Sequence, residues 1–186
     1  MAGEFKNMKL LLTLSLLFAV SLTIFAQAKN ERDKGIEFYR QGEYEKAIEI
    51  LQESVKAENK DRLAWMYLGA SFVKLKREDD AVKAFLKTNT VYDKNFPVYD
   101  KKLKITKKAR VNYSNRAASN LTSGVVKLAV EFGADGKIGF VFPFQALPDG
   151  LTESSVKAAK AIKFEPAIQN GKPVTVVLNI EYSFSF

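Results

Sequence analysis

The stretch that decides the fold is the last one, Val174-Thr175-Val176-Val177-Leu178-Asn179-Ile180-Glu181-Tyr182-Ser183-Phe184-Ser185-Phe186. Val174, Val176, Leu178, Ile180, Tyr182, Phe184 and Phe186 alternate with Thr175, Val177, Asn179, Glu181, Ser183 and Ser185. Side chains alternate across a strand, so this period predicts one long strand with one face buried along its whole length. Such a strand should outrun its partners and leave backbone unpaired. A long bare edge invites another chain and is a liability unless it is used. The use that fits is strand addition by an extended peptide, with main-chain bonds giving affinity and outward side chains tuning specificity. The predicted edge is Val174, Thr175, Val177, Asn179, Glu181 and Ser183. Pairing of the same edge with a second copy, giving a homodimer, is the alternative.

The elements that precede this strand read as its partners. Val126, Leu128, Val130 and Phe132 alternate with polar or small residues, and Gly133-Ala134-Asp135-Gly136 supplies a hairpin turn. Ile138, Phe140, Phe142 and Phe144 form the return strand, where Pro143 marks an edge or the end of regular pairing. Pro148-Asp149-Gly150 breaks the chain. A helix then runs from Thr152, the predicted N-cap, to about Lys163, with Val156, Ala159 and Ile162 on one face. Asn170-Gly171 is a turn. Residues 111–186 thus read as a small α+β domain of hairpin, one helix and long terminal antiparallel strand.

Residues 29–110 have a different texture. They carry 20 basic and 14 acidic residues, against 7 and 6 in 112–186. A shift of 34 places Gly35 on Gly69, Phe38 on Phe72, Ala47 on Ala81 and Leu51 on Phe85. Trp65, Leu68 and Gly69 stand in the order W-x-x-L-G. These positions and this period resemble tetratricopeptide (TPR) repeats. The packing set is Gly35, Phe38, Ala47, Trp65, Gly69, Phe72, Ala81 and Phe85: small residues permit close approach of paired helices and large ones fill the space beside them. Helices are expected near 31–41, 44–57, 62–75 and 78–91. A fifth, capping helix is expected over 97–110, since Pro97 suits a first turn. Its cations Lys101, Lys102, Lys104, Lys107, Lys108 and Arg110 read as a solvated face, or as a patch for anions such as phospholipid headgroups. Such repeats bind proteins or serve as spacers.

The amino-terminal residues 1–28 read as an export signal. Lys6 and Lys9 precede the apolar run Leu10 to Phe25, and Ala26-Gln27-Ala28 supplies an A-x-A cleavage site. An uncleaved anchor is the alternative, and only then would the chain touch a membrane. Either way the remainder lies outside the cytoplasm.

The composition narrows function further. Among 186 residues there is no Cys and no His, with a net charge of +8. Disulfides, thiol nucleophiles and His-based triads are excluded, and a zinc site has no ready ligands. No acid, nucleophile and base stand at catalytic spacing. Asp79 and Asp80 read as acids in the first turn of a helix. The expectation is a protein that is not an enzyme, with no cofactor, no metal and no nucleic-acid partner.

The carboxy-terminal half also resembles a family. Gly124-Val125-Val126-Lys127-Leu128-Ala129-Val130-Glu131-Phe132, Asp135-Gly136-Lys137-Ile138, Leu147-Pro148-Asp149-Gly150, Ile162-Lys163-Phe164-Glu165-Pro166 and Gly171-Lys172-Pro173-Val174 follow in the order of the carboxy-terminal domain of TonB-type energy transducers. Tyr113-Ser114-Asn115-Arg116-Ala117 is similar to that family's Y-P-x-x-A stretch, with Ser114 in place of Pro. The resemblance implies docking of a short extended segment of an outer-membrane receptor beside the last strand, with Tyr113 and Arg116 near the ligand. It implies a periplasmic location. Two family features are missing: the His of the anchoring helix and the Pro-rich spacer. The chain has five Pro in all, and helical repeats stand where the spacer would be.

Overall fold

The structure is a computed structural model and describes residues 26–89 and 99–185. The apolar run Leu10 to Phe25, the start of the expected fifth helix at Pro97, and Phe186 lie outside the described residues.

Four helices come first: α1 (26–41), α2 (Tyr44–Ala57), α3 (Arg62–Lys74) and α4 (Glu78–Lys87). In α2 the buried residues Ala47, Ile48, Leu51, Ser54 and Val55 fall on one stripe, the pattern of a helix with one face in water. Helix α3 buries residues all round, from Leu63 to Phe72, which fits an element covered on several sides. It contacts α2, α4 and the sheet. Asp61 caps it by accepting from Ala64 N at 2.9 Å. Glu78, Asp79 and Asp80 do occupy the first turn of α4, and Asp80 pairs with Arg77 at 2.7 Å.

The 34-residue shift has a physical counterpart. A Cβ added at Gly35 would stand 2.6 Å from Leu51 Cγ, and one at Gly69 would stand 2.8 Å from Phe85 Cε1. Each helix pair thus closes at a glycine against a large side chain, and the two contacts are one period apart. Ala47 and Ala81 are fully buried at the equivalent place. Helix α1 starts earlier than expected. It includes Ala26-Gln27-Ala28, Ala28 is buried, and Ser54 Oγ donates to Ala28 O at 3.0 Å.

The expected fifth helix is absent from residues 99–110. Instead β1 (Lys104–Lys107) pairs antiparallel with β4 (Lys163–Glu165). Leu103 and Ile105 pack into the core beneath the sheet, while Lys102, Lys104 and Thr106 are exposed. That is an alternation of period two, carried in part by β-branched residues, and burial of one face outweighs the helix start at Pro97.

The rest is α5 (Asn115–Ser119), β2 (Gly124–Phe132), β3 (Ile138–Gln145), α6 (Leu151–Lys160), β5 (Ala167–Gln169), β6 (Lys172–Val174) and β7 (Val176–Phe184). The main sheet is antiparallel with order β3-β2-β7, and β5–β6 is a separate ribbon. Pro143 lies in β3, an edge strand, next to a register shift opposite Lys127 and Leu128. Helix α6 begins at Leu151 with Gly150 at its N-cap. Thr152 is therefore inside the helix, and its hydroxyl bonds Leu147 N and O at 2.8 and 2.7 Å.

The sheet is the middle of three layers. On one side Ala129, Phe144 and Val177 join the helical core, with Phe85 5.5 Å from Phe144 and 5.8 Å from Phe142 between ring centroids. On the other side Val126, Leu128, Val130, Phe132, Val176 and Ile180 pack with Leu151, Ala158 and Ala159 of α6. The whole is α+β, four helices followed by a small β-containing unit.

Candidate functional site: the edge of the last strand

The predicted 13-residue strand is divided. Val174 ends β6 and pairs with Ala167; Thr175 belongs to no strand; β7 begins at Val176. Thr175 explains the break. Its carbonyl accepts from Arg40 Nε at 3.3 Å and Tyr67 Oη at 3.2 Å, and its hydroxyl accepts from Ala134 N at 3.2 Å. A carbonyl held by two helices does not serve a regular ladder. Nor does β7 outrun β2: nine register pairs run from Gly124↔Phe184 to Phe132↔Val176. Among the described residues β2 is the one strand paired with β7, so the bare backbone lies on the other side of β7.

The outward side chains do not form one row. Val177 is 1% exposed and sits beneath the helices. Asn179 Nδ2 donates to Thr88 Oγ1 at 2.7 Å, at the end of α4. Glu181 and Ser183 are exposed, and Glu181 pairs with Lys127 of β2 at 3.4 Å. So α3 and α4 cover the first half of the strand's polar face and leave the second half open. The expected single buried face is corrected on this ground: Val176 and Val177 are both buried, on opposite faces, because a helical layer lies on one and α6 on the other.

Tyr113 and Arg116 part company. The Tyr113 ring stacks on Phe184 with centroids 6.1 Å apart, and its hydroxyl donates to Thr122 O at 2.8 Å. Tyr113 is thus brought to the end of β7. Arg116 has a largely exposed side chain that pairs instead with Asp149 at 3.2 Å. Hydrogen bonds from Thr122 and Asn120, and then the Arg116 cation, hold the Asp149 carboxyl below its usual range. Ser114 does the work of a cap: its Oγ accepts from Ala117 N at 3.0 Å and donates to Asp149 O at 2.7 Å.

Two polar atoms on β7 are buried without a hydrogen-bond partner among the described residues, Asn179 Oδ1 and Tyr182 Oη. Burial also raises the Tyr182 hydroxyl above its ordinary pKa. Lys108, one of the six cations expected on a helix, stands instead at the β7 edge. Its Nζ donates to Glu181 O at 3.0 Å and lies 4.4 Å from the Tyr182 ring centroid. The run of lysines reads as one face of a helix, and the Leu103/Ile105 alternation is the signal that places it beside the sheet.

The helices are tied to the sheet by a buried carboxylate. Glu131 of β2 accepts from Tyr39 Oη of α1 and pairs with Lys74 of α3 at 2.9 Å. A Cβ at Gly139 would collide with the same carboxylate, so the neighbouring strand has no side chain there. Burial first, then the Glu131 charge, pushes the Tyr39 hydroxyl pKa up. A cleft of about 490 Å³ lies where α1 meets the β5–β6 ribbon, lined by Glu37, Arg40, Gln169 and Lys172 among others. Arg40 crosses it to Gln169 Oε1 at 2.9 Å.

Among the described residues, no group of three or more Asp or Glu could hold a metal ion, and no helix is long and apolar enough to cross a membrane. No curated protein matches the chain. A solved structure that is similar, described as a solution NMR structure of the Pseudomonas aeruginosa TonB CTD, is 24% identical. The likeness covers 47% of this chain and 89% of that one, with a TM-score of 0.38. The family model for the Gram-negative bacterial TonB protein C-terminal matches residues 109–186. That family is a non-enzymatic protein-interaction domain. Residues 109–186, with β7 as their last strand, are thus similar to the TonB C-terminal family.

Proposed function

We propose that this chain is a periplasmic protein-binding component resembling the TonB energy transducer. It docks an extended peptide of an outer-membrane receptor as an added strand along β7, in TonB-dependent transport. The observation that carries this is the position of β7: an edge strand, open over Glu181 and Ser183, inside the segment matched by the TonB family model. Each main-chain bond to an added strand contributes a net of about 0.5–1.5 kcal/mol, so four or five contribute roughly 2–7 kcal/mol, and side-chain contacts must supply the rest of the about 8 kcal/mol that micromolar docking needs. Residues 1–28 act as the export signal or anchor, and the glycine-closed helix pairs of 29–87 act as TPR-like repeats.

A second reading, a periplasmic TPR scaffold or adaptor without an energy-transducing role, is favoured by one observation. Glu131, Lys74 and Tyr39 bind the helices rigidly to the sheet, where a transducer has a flexible spacer. A photo-crosslinking residue at position 183 of the full chain, expressed in Gram-negative cells, tests both. Capture of an outer-membrane protein from position 183, and not from the buried position 177, is the expected result. Capture of periplasmic proteins alone would favour the scaffold, and capture of a second copy alone would make the edge a homodimer interface. The mass of the exported amino terminus then separates an anchored chain from one beginning at Lys29.

A further inference from the structure

A bare strand edge in a protein that is not aggregating must be protected, and lysine is a common protector. In an antiparallel ladder the N–H and C=O of a residue point to the same side, and alternate residues point to opposite sides. The Glu181 carbonyl is met by Lys108 Nζ, which reaches it from the segment following β1. Asn179, Glu181 and Ser183 are the alternating set that contains this carbonyl. An added strand needs the Glu181 carbonyl for one of its own N–H groups. Lys108 therefore occupies an acceptor that a docking chain has to take.

The surroundings make that occupancy easy to end. Lys108 is exposed, so water competes with its bond to the carbonyl. They also fix what should replace it. Lys107 and Arg110 flank Lys108 and have no ion-pair partner among the described residues, whereas Lys101 and Lys104 share Glu165. Lys107 stands opposite Lys163 in the β1–β4 register, a like-charge pair that is unfavourable until an anion arrives. Glu181, the acid on the exposed half of β7, is already paired with Lys127.

We propose that Lys108 is a displaceable guard of the β7 edge. Its ammonium caps the Glu181 carbonyl in the free protein and swings off when an extended chain adds there. The chain it admits carries a carboxylate beside Glu181, which takes the released ammonium. This rests on the docking at β7 proposed above, and it names the chemistry of the partner and the residue that selects it.

The test pans a random decapeptide library against the immobilised full chain and against Lys108→Met, which keeps the stem over Tyr182 and removes the charge. Thermal melting checks that the variant folds. The expected result is enrichment of Asp or Glu at one register position with the natural chain, and loss of that enrichment with Lys108→Met. For a single selected peptide, replacing the acid by its amide should weaken binding about five- to tenfold to the natural chain and leave the variant unchanged. Peptides captured equally by both proteins, with the same acid frequency, would overturn the guard while leaving edge docking intact. Peptides that still bind after N-methylation of alternate amides, or no captured peptides at all, would overturn edge docking itself. If Lys108→Met does not fold, Lys108→Gln takes its place with the same expected loss of acid preference.

Discussion

The two halves of β7 share one sequence pattern and have opposite surroundings. In the first half Val176 and Val177 are both buried, one against α6 and one beneath α3 and α4, and Asn179 is held by Thr88. In the second half Tyr182 and Phe184 are buried on one face while Glu181 and Ser183 on the other are exposed. The first half is a strand in the middle of a three-layer stack; the second is the rim of an open sheet. The lesson is that an alternating strand reports a buried face, and the layers laid on it afterwards decide whether the other face is free.

The most severe way to break this contrast is to put a charge on each half. Val177→Asp buries a carboxylate with no partner between helices and sheet, and should cost about 3 kcal/mol or more. Ser183→Asp places the same group in water and should stay within about 0.5 kcal/mol. Denaturant unfolding of both variants checks the difference, and equal losses would mean that the helices do not seal the first half.

A smaller effect is expected from removing the bolt that holds the helices there. Glu131→Ala leaves the buried Tyr39 hydroxyl unpaired and frees Lys74, which is partly exposed and can turn to water. The loss should be about 2 kcal/mol, with increased amide exchange at Val177. Unchanged exchange at Val177 would mean that apolar contacts such as Phe85 with Phe142 and Phe144 hold the layers without the carboxylate.

The mildest effect concerns the exposed end, where Tyr113 on Phe184 leans on the Asp149 cluster. Hydrogen bonds from Thr122 and Asn120 depress the Asp149 pKa in the folded protein. The sign follows from linkage. A depressed folded value gives stabilisation that is present above the unfolded pKa near 3.9 and is lost as the pH falls through the folded value. The melting temperature should therefore fall below about pH 5 more steeply for the natural chain than for Asp149→Asn. Identical acid limbs would mean that the Asp149 carboxylate does not stabilise the folded chain.

Much of the fold was legible in the residues. Gly35, Leu51, Gly69 and Phe85 stand one period apart in the sequence, and the helix pairs close on those same contacts. The hairpin, the Asn170-Gly171 turn and the terminal strand were legible because period two and turn residues are local signals. Less was legible at the site. Lysines at 101, 102, 104, 107 and 108 masked the apolar alternation of Leu103 and Ile105, and a strand was read as a helix. Thr175 reads as one more strand residue, and nothing near it in sequence announces Arg40 and Tyr67, more than a hundred residues away.

The sequence by itself determined the four leading helices, the β2–β3 hairpin, the helix after it and the terminal strand in their order, the 34-residue spacing of the helix contacts, and the absence of thiol or imidazole chemistry. Those are matters of local spacing and of which side chains exist. The tertiary structure alone decided that β7 starts at Val176, that its polar face is sealed as far as Asn179, and that Lys108 caps its edge. Each of these depends on two segments distant along the chain meeting in space, and side-chain periodicity carries no record of a partner that arrives from elsewhere.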